Sequence, residues 1–374
     1  MKKYLLLILF TALYFISCNN TKDANNKNNS ADTVTITDAL GREVTLKKDI
    51  KKIISIDRGF IPQTLKALGK DNLLAATGGV YPQSGPYNAD RSDNFYIVTN
   101  ILSIPNVGWA GYGSYNFEKI LEVSPDVIII VPYGSLSENS YHQELINRIE
   151  NEFKIPVIIL NDHTIATNLN AYYNNIRIIS KVVNAEDKSE ELIKKLQGYV
   201  DLASSFKKDN DTDKMLFLGL TDSETGAGYV HGKDYGGAAY TTSILGISNS
   251  YEKSEMPILG AEEILEMNPD IIAMIDSPQY SKAVETYTKN AVFQNINAVK
   301  NKRVYSMGQV LWWSDPKLLL PVQLLLFSYI YYMPENVNIR EVYDNYVSDI
   351  FGIKETDKLI VLHKLEPFFE QIKN

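Results

Sequence analysis

One twelve-residue pattern occurs twice in this chain. Glu118-Lys-Ile-Leu-Glu-Val-Ser-Pro-Asp126-Val-Ile-Ile returns 144 residues later as Glu262-Glu-Ile-Leu-Glu-Met-Asn-Pro-Asp270-Ile-Ile-Ala. Each copy reads as a short helix that stops before Pro-Asp and feeds a buried apolar strand. A single unit of this kind is ordinary packing grammar. Two copies at this spacing predict two similar α/β lobes in a chain of 374 residues.

The flanking sequence follows the same alternation. Strands are expected over 53–56, 73–77, 126–131 and 156–160, and again over 215–220, 270–275 and 303–306, with a helix over 63–68. Alternating β and α predicts mostly parallel open sheets covered by helices. Between the copies, Ala185 to Asp209 is charged and helical in pattern, with Ile193, Leu196, Val200 and Ala203 on one stripe. Its interior Gly198 costs only about 1 kcal/mol. The expected organisation is an N-terminal lobe over 34–184, one long rigid helix over 185–209 and a C-terminal lobe over 210–374, with a ligand cleft between the lobes.

The N-terminus carries an address. Lys2-Lys3, an apolar run from Tyr4 to Ile16 and then Ser17-Cys18 have the form of an export signal too short to span a bilayer. Cys18 is the one cysteine, which excludes a disulfide scaffold, a thiolate zinc site and a cysteine-held iron–sulfur cluster. Phe15-Ile16-Ser17-Cys18 resembles the bacterial lipobox, with Phe15 in place of the usual Leu. That resemblance implies a signal peptide over 1–17 and a lipid on Cys18. It places the protein on an envelope membrane, at its periplasmic or extracellular face. The Asn-rich stretch that follows is too polar to offset its ordering entropy, so 18–33 is expected to be a flexible tether.

Charge narrows the partners. The full chain carries −8, and loss of Lys2 and Lys3 with the signal moves the balance to −10. This is too acidic for a nucleic-acid binder that relies on general attraction to phosphate. Leu318–Tyr332 is the richest apolar stretch after the signal, but Pro321 and Gln323 interrupt it and Pro334 closes it. The four histidines, at 142, 163, 231 and 363, show no metal-ligand spacing, and no resident metal or cofactor is expected.

Thr33-Val-Thr-Ile-Thr-Asp38-Ala-Leu-Gly-Arg42-Glu-Val-Thr-Leu46, followed by Lys51-Lys-Ile-Ile-Ser55, resembles the opening of periplasmic-type binding proteins for iron–siderophore, haem and cobalamin. These are the solute receptors of ABC importers. Pro105-Asn-Val-Gly108, the Asn116-Phe-Glu118…Pro125-Asp126 unit and Ala298 to Tyr305 match later landmarks, so the resemblance covers 33–374. It implies two lobes on one rigid helix, modest closure, and partners consisting of an ABC permease dimer with its ATPase. It also implies that Glu118 and Glu262, one per lobe, meet arginines on the two permease subunits. Both also fall in the first turn of an expected helix, where a carboxylate is favoured whatever its function. Glu263 adjoins Glu262 and offers the same charge.

Ligands of open parallel sheets lie beyond the carboxyl ends of the strands. That rule nominates Arg58, Tyr81, Trp109, Tyr112 and Tyr133 in the first half, and Tyr229, His231, Trp312 and Trp313 in the second. Each has an ordinary alternative: loop aromatics pack, Arg58 pairs with a carboxylate, and His231 sits solvated in a glycine-rich loop. Together they suit a large, partly apolar metal chelate, with ferric siderophore first and haem, cobalamin or an oxyanion as alternatives. A nucleophile elbow and a phosphate-binding loop are both absent, so an enzyme is not expected. A sensory receptor or adhesin is the other remaining class, and a monomer is the expected state.

Overall fold

The computed structural model describes residues 32–78, 97–109, 114–132, 141–162, 168–208, 211–219, 222, 224–234, 236–274, 283–308, 317–362 and 365–373. The described chain begins with an antiparallel hairpin of β1 (Thr33–Thr37) and β2 (Glu43–Lys47), so Thr33 opens a strand rather than closing the expected tether. β3 (Ile53–Ile56) and β4 (Leu74–Gly78) flank helix α1 (Phe60–Ala67). A short hairpin of β5 (Gly108–Trp109) and β6 (Ser114–Tyr115) leads into α2 (Phe117–Val123). β7 (Val127–Ile130) and β8 (Val157–Ile159) complete a parallel sheet of order β4-β3-β7-β8.

Two helices then run in succession, α3 (Leu169–Val182) and α4 (Glu186–Ser205). The second half holds β9 (Lys214–Gly219), β10 (Gly228–Val230), α5 (Gly236–Leu245), β11 (Ser248–Asn249), β12 (Ile258–Leu259), α6 (Ala261–Met267), β13 (Ile271–Met274) and β14 (Val304–Ser306). Its sheet runs β12-β10-β9-β13-β14, with β11 paired to the start of β9. β9, β13, β14 and β11 are parallel, whereas β10 and β12 are antiparallel. The described chain closes with α7 (Leu320–Tyr332), α8 (Ile339–Phe351) and α9 (Glu366–Gln371), among shorter helices.

β3, β7, β8, β13 and β14 are buried along their whole length, as apolar runs in parallel sheets covered on both faces are. Side chains alternate between two cores. Ile53, Val127, Ile129 and Ile158 of the first sheet, with Met215, Phe217, Ile271 and Ala273 of the second, join one continuous core. α3, α4, α7 and α8 fill its middle. The alternate residues turn to smaller cores under α2 and α6, reached by Ile120 and Ile264 at the same place in the repeat.

α4 carries the expected stripe, with Ile193, Leu196, Val200 and Ala203 all buried, and packs against α3 and α7. It stops at Ser205 rather than Asp209. The apolar stretch that ends at Tyr332 forms α7, which is buried at every residue except Tyr329. Pro321 lies in its first turn, where a missing N–H costs nothing. No helix among the described residues is long and apolar enough to cross a membrane.

Candidate functional site

The repeated unit has a structural explanation. In both copies the helix ends on a left-handed residue, Ser124 (φ 50°) and Asn268 (φ 41°), which turns the chain into Pro-Asp. The Asp126 N–H donates to the Lys52 carbonyl at 2.9 Å, and the Asp270 N–H donates to that of Lys214 at 3.0 Å. In return, the Lys52 and Lys214 N–H groups each donate to the carboxylate at 3.0 Å. Lys52 stands just before Ile53, the partner of Val127, and Lys214 just before Met215, the partner of Ile271. The aspartate therefore locks the register where the two central strands begin. Partial burial opposes ionisation of Asp126, but the Lys51 N–H, the Lys47 ammonium and the Lys52 N–H together hold its carboxyl below the usual range.

The glutamates stand at the other end of these units. Each helix ends where its strand begins and packs back along it, so its first turn lies near the carboxyl ends of the strands. Glu118 and Glu262 are both the second residue of their helices, both exposed, and neither forms an ion pair among the described residues. Glu263 behaves differently. Its Oε2 accepts the Gly260 N–H at 2.8 Å, folding the side chain back over its own helix start. Of the two carboxylates at this helix start, the one left pointing outward is that of Glu262.

At the carboxyl end of β3, fully buried Asp57 accepts the N–H groups of Gly59 (3.0 Å) and Ile61 (2.8 Å) and so starts α1. Half-buried Arg58 lies between them. Trp109 is placed by its backbone: it pairs with Ser114 across the β5–β6 hairpin, beside the bridge that joins Thr77 of β4 to Asn106. Tyr229 of β10 lies opposite Gly219, the last residue of β9.

His231 follows directly and is held through its backbone, donating to Phe217 at 2.9 Å and accepting from the Asn249 amide at 2.9 Å. It is buried rather than solvated, at 5% exposure, and burial lowers its pKa to about 4, so the imidazole is neutral. With Phe217, Gly237, Ala273, Gln323 and Phe327 it lines a cavity of about 10 Å³, room for about one water. Gln323, read from sequence only as an interruption of an apolar run, is the second buried polar group there. Its amide occupies the space into which any side chain at Gly237 would project.

The structure thus brings Arg58 and Trp109 to the strand ends of the first sheet and Tyr229 to those of the second, whereas His231 sits level with Phe217, back from the end of β9 and against the small cavity. Cys18, Tyr81, Tyr112, Tyr133, Trp312 and Trp313 lie outside the described residues. Among the described residues no group of three or more His, Cys, Asp or Glu side chains is placed to hold a metal ion.

Residues 61–311 match the family described as periplasmic binding protein. The chain belongs to that family. Its members are solute-binding, non-enzymatic components that deliver small molecules to ABC permease complexes. The chain is similar to an uncharacterized ABC transporter substrate-binding lipoprotein, YvrC of Bacillus subtilis, at 26% identity over 86% of this chain and 94% of that protein. It is also similar to the Fe(3+)-citrate-binding protein YfmC of Bacillus subtilis, at 22% identity over 82% and 88%. Among solved structures, the TroA-like periplasmic binding protein FepB of Veillonella parvula shares the fold, with a TM-score of 0.70 and 18% identity over 85% of this chain and 96% of that one.

Within this periplasmic binding protein, the Asp38…Arg42 opening is a clamp. Asp38 accepts the N–H groups of Leu40 and Arg42 on one oxygen, and the Arg42 Nε (2.9 Å) and Ile159 N–H (3.3 Å) on the other. Arg42 reaches on to Glu150 through Nη1 (3.1 and 3.0 Å) and to the Val157 carbonyl through Nη2 (2.8 Å). The motif fastens the first hairpin to the edge strand β8.

Proposed function

We propose that this protein captures a chelated metal, a ferric siderophore first, and hands it to a two-fold ABC permease while held to the envelope membrane by a lipid on Cys18. One observation carries the reading: two exposed glutamates with no ion pair among the described residues, Glu118 and Glu262, occupy the same helical position in two structurally equivalent units. A partner built from two like subunits requires equal charges on both halves of the receptor. A mature charge of −10 would also speed the encounter with cationic permease surfaces.

Arg58, Tyr81, Trp109 and Tyr112, with Tyr133, Tyr229, His231, Trp312 and Trp313, form the proposed ligand set between two lobes. Aromatic faces would cover the apolar body of a chelate, and Arg58 would meet an anionic group with its planar fork. His231, being neutral, would act as a hydrogen-bonding wall rather than a cation. α4, a continuous helix packed on both sides, favours modest closure. The protein does no chemistry in this reading; it selects by fit and concentrates solute near the importer. The Fe(3+)-citrate name of one relative supports iron as the metal.

The experiment has two arms. Trp fluorescence of the mature protein is titrated with a ferric siderophore, ferric citrate, haemin, cobalamin and molybdate. Glu118→Arg and Glu262→Arg are then assayed singly and together for ligand affinity and uptake. The expected result is tight binding of a chelate, unchanged affinity in the variants, and uptake that falls most in the double reversal. Binding of molybdate alone would overturn the ligand class, and full uptake by the double variant would overturn the docking assignment.

A further inference from the structure

At the opposite end of the second sheet from the strand carboxyl ends lies a cavity of about 620 Å³, within the range of small-molecule sites. It opens where β14 begins and α7 ends. Tyr305, Tyr329, Ile330, Met333 and Ile372 give it mainly apolar walls. The ionised groups lining it are Lys302 and Arg303, and among the described residues no carboxylate lines it. In a chain of net charge −8, a wall with cations alone is a local reversal of sign.

The two cations have different roles. Arg303 is committed to the fold: Nη1 pairs with Asp213, and Nη2 donates to the carbonyls of Ile330 (3.1 Å) and Tyr331 (3.0 Å), closing the end of α7. Lys302 is exposed, held at φ 58°, and its ammonium pairs with no carboxylate among the described residues. Lys208 adds a second ammonium at the rim, donating to the Met333 carbonyl at 3.4 Å. Met333 itself is 57% exposed at φ 43°, an adaptable thioether wall standing in water.

We propose that this basal cavity is a second binding site, for a small amphiphilic anion: one sulfonate or carboxylate on an aromatic or branched apolar body. Such a ligand pairs its charge with Lys302 and covers Met333, Tyr329 and Ile372 with its body, satisfying both exposed features at once. A neutral apolar molecule leaves the ammonium unanswered, and a bare anion leaves the apolar walls wet. The site is independent of the ligand set proposed above.

The test uses the mature chain and 1-anilinonaphthalene-8-sulfonate as probe, read by its emission. The expected result is a saturable site that Lys302→Glu and Met333→Asp each weaken about tenfold, as loss of a charge-assisted or apolar anchor does. Lys195→Glu makes the same charge change on the exposed face of α4 and should leave the titration unaltered. The uncharged N-phenyl-1-naphthylamine should bind about tenfold more weakly than the sulfonate. Thermal melts of the variants check that each is folded. Absence of a saturable site overturns the proposal. So does wild-type affinity in folded Lys302→Glu, an equal loss in Lys195→Glu, or equal binding of the neutral probe.

Discussion

β3 and β9 occupy the same place in their sheets, yet the chain leaves them in opposite ways. Ile56 and Leu218 hold the same register against β7 and β13. After Ile56 comes Asp57, whose carboxylate collects two N–H groups and starts a helix that crosses over to a parallel strand. After Leu218 comes Gly219, and the next described aspartate, Asp222, instead accepts the N–H groups of Glu224 (2.9 Å) and Thr225 (2.8 Å). Gly226 at φ 72° then returns the chain antiparallel as β10. One acidic side chain directly after the strand caps a helix; the same side chain three residues later closes a hairpin. Two halves with a common repeat therefore present different rims, α1 on one side and β10 with Tyr229 on the other.

The largest effect should come from the hairpin. A Cβ at Gly226 would lie 2.3 Å from the Phe293 ring, which stacks on Tyr287 at 4.3 Å, while the Tyr287 hydroxyl donates to the Gly226 carbonyl at 2.6 Å. Gly226→Val combines this clash with a left-handed backbone and should cost more than about 3 kcal/mol, read as a lowered denaturation midpoint. A cost under 1 kcal/mol would mean that the turn relaxes freely.

Acid should separate the halves next. The folded pKa of His231, about 4, lies below the unfolded value of about 6.5, so the unfolded chain binds the extra proton between those limits. Stability is complete above about pH 6.5 and declines by about 3 kcal/mol as pH falls toward 4. His231→Gln should flatten that limb in urea melts taken from pH 7 to 4. Asp126, held low in the first half, acts only further down, with its contribution lost as pH falls below about 4.

The two register locks should be worth similar amounts. Asp126→Asn and Asp270→Asn each weaken strand-start hydrogen bonds to a carboxylate and should cost about 1–2 kcal/mol at pH 7. Only the first should also lose its dependence on salt, because Lys47 faces Asp126 whereas the Asn297 amide faces Asp270. The smallest effect separates neighbouring acids: Glu263→Ala removes a cap contact and should cost about 0.5 kcal/mol or more, against about 0.3 kcal/mol for Glu262→Ala, which loses only its place near the helix dipole.

Much of this was legible in the sequence. The strands expected at 53–56, 73–77, 126–131, 156–160, 215–220, 270–275 and 303–306 are all present within a residue or two, because buried parallel strands are continuous apolar runs. α7 was not legible as a helix, since a helix buried on every side has no apolar period to read. Its Gln323 stayed hidden with it. His231 was unreadable for another reason: burial depends on Gln323 and Phe327, which arrive from far along the chain. The choice between Glu262 and Glu263 was in reach, because Gly260-x-x-Glu263 has the spacing of a capping box. Glu150 and Val157, the distant partners of Arg42, lie more than a hundred residues ahead of it and left no local sign.

That last separation bears on how a chain that grows from its N-terminus becomes this structure. Asp38 and Arg42 emerge early from any channel that passes the N-terminus first, yet Glu150, Val157 and Ile159 follow 108 to 121 residues behind. Closing a loop of that length costs about 4 kcal/mol in chain entropy before any contact repays it. The first hairpin must therefore wait, its strand edge and the exposed Leu40 at its tip open to other chains, until β8 has crossed. A chain arrested before Val157 should be the aggregation-prone form, and one released just after Ile159 the first able to tie down its own beginning.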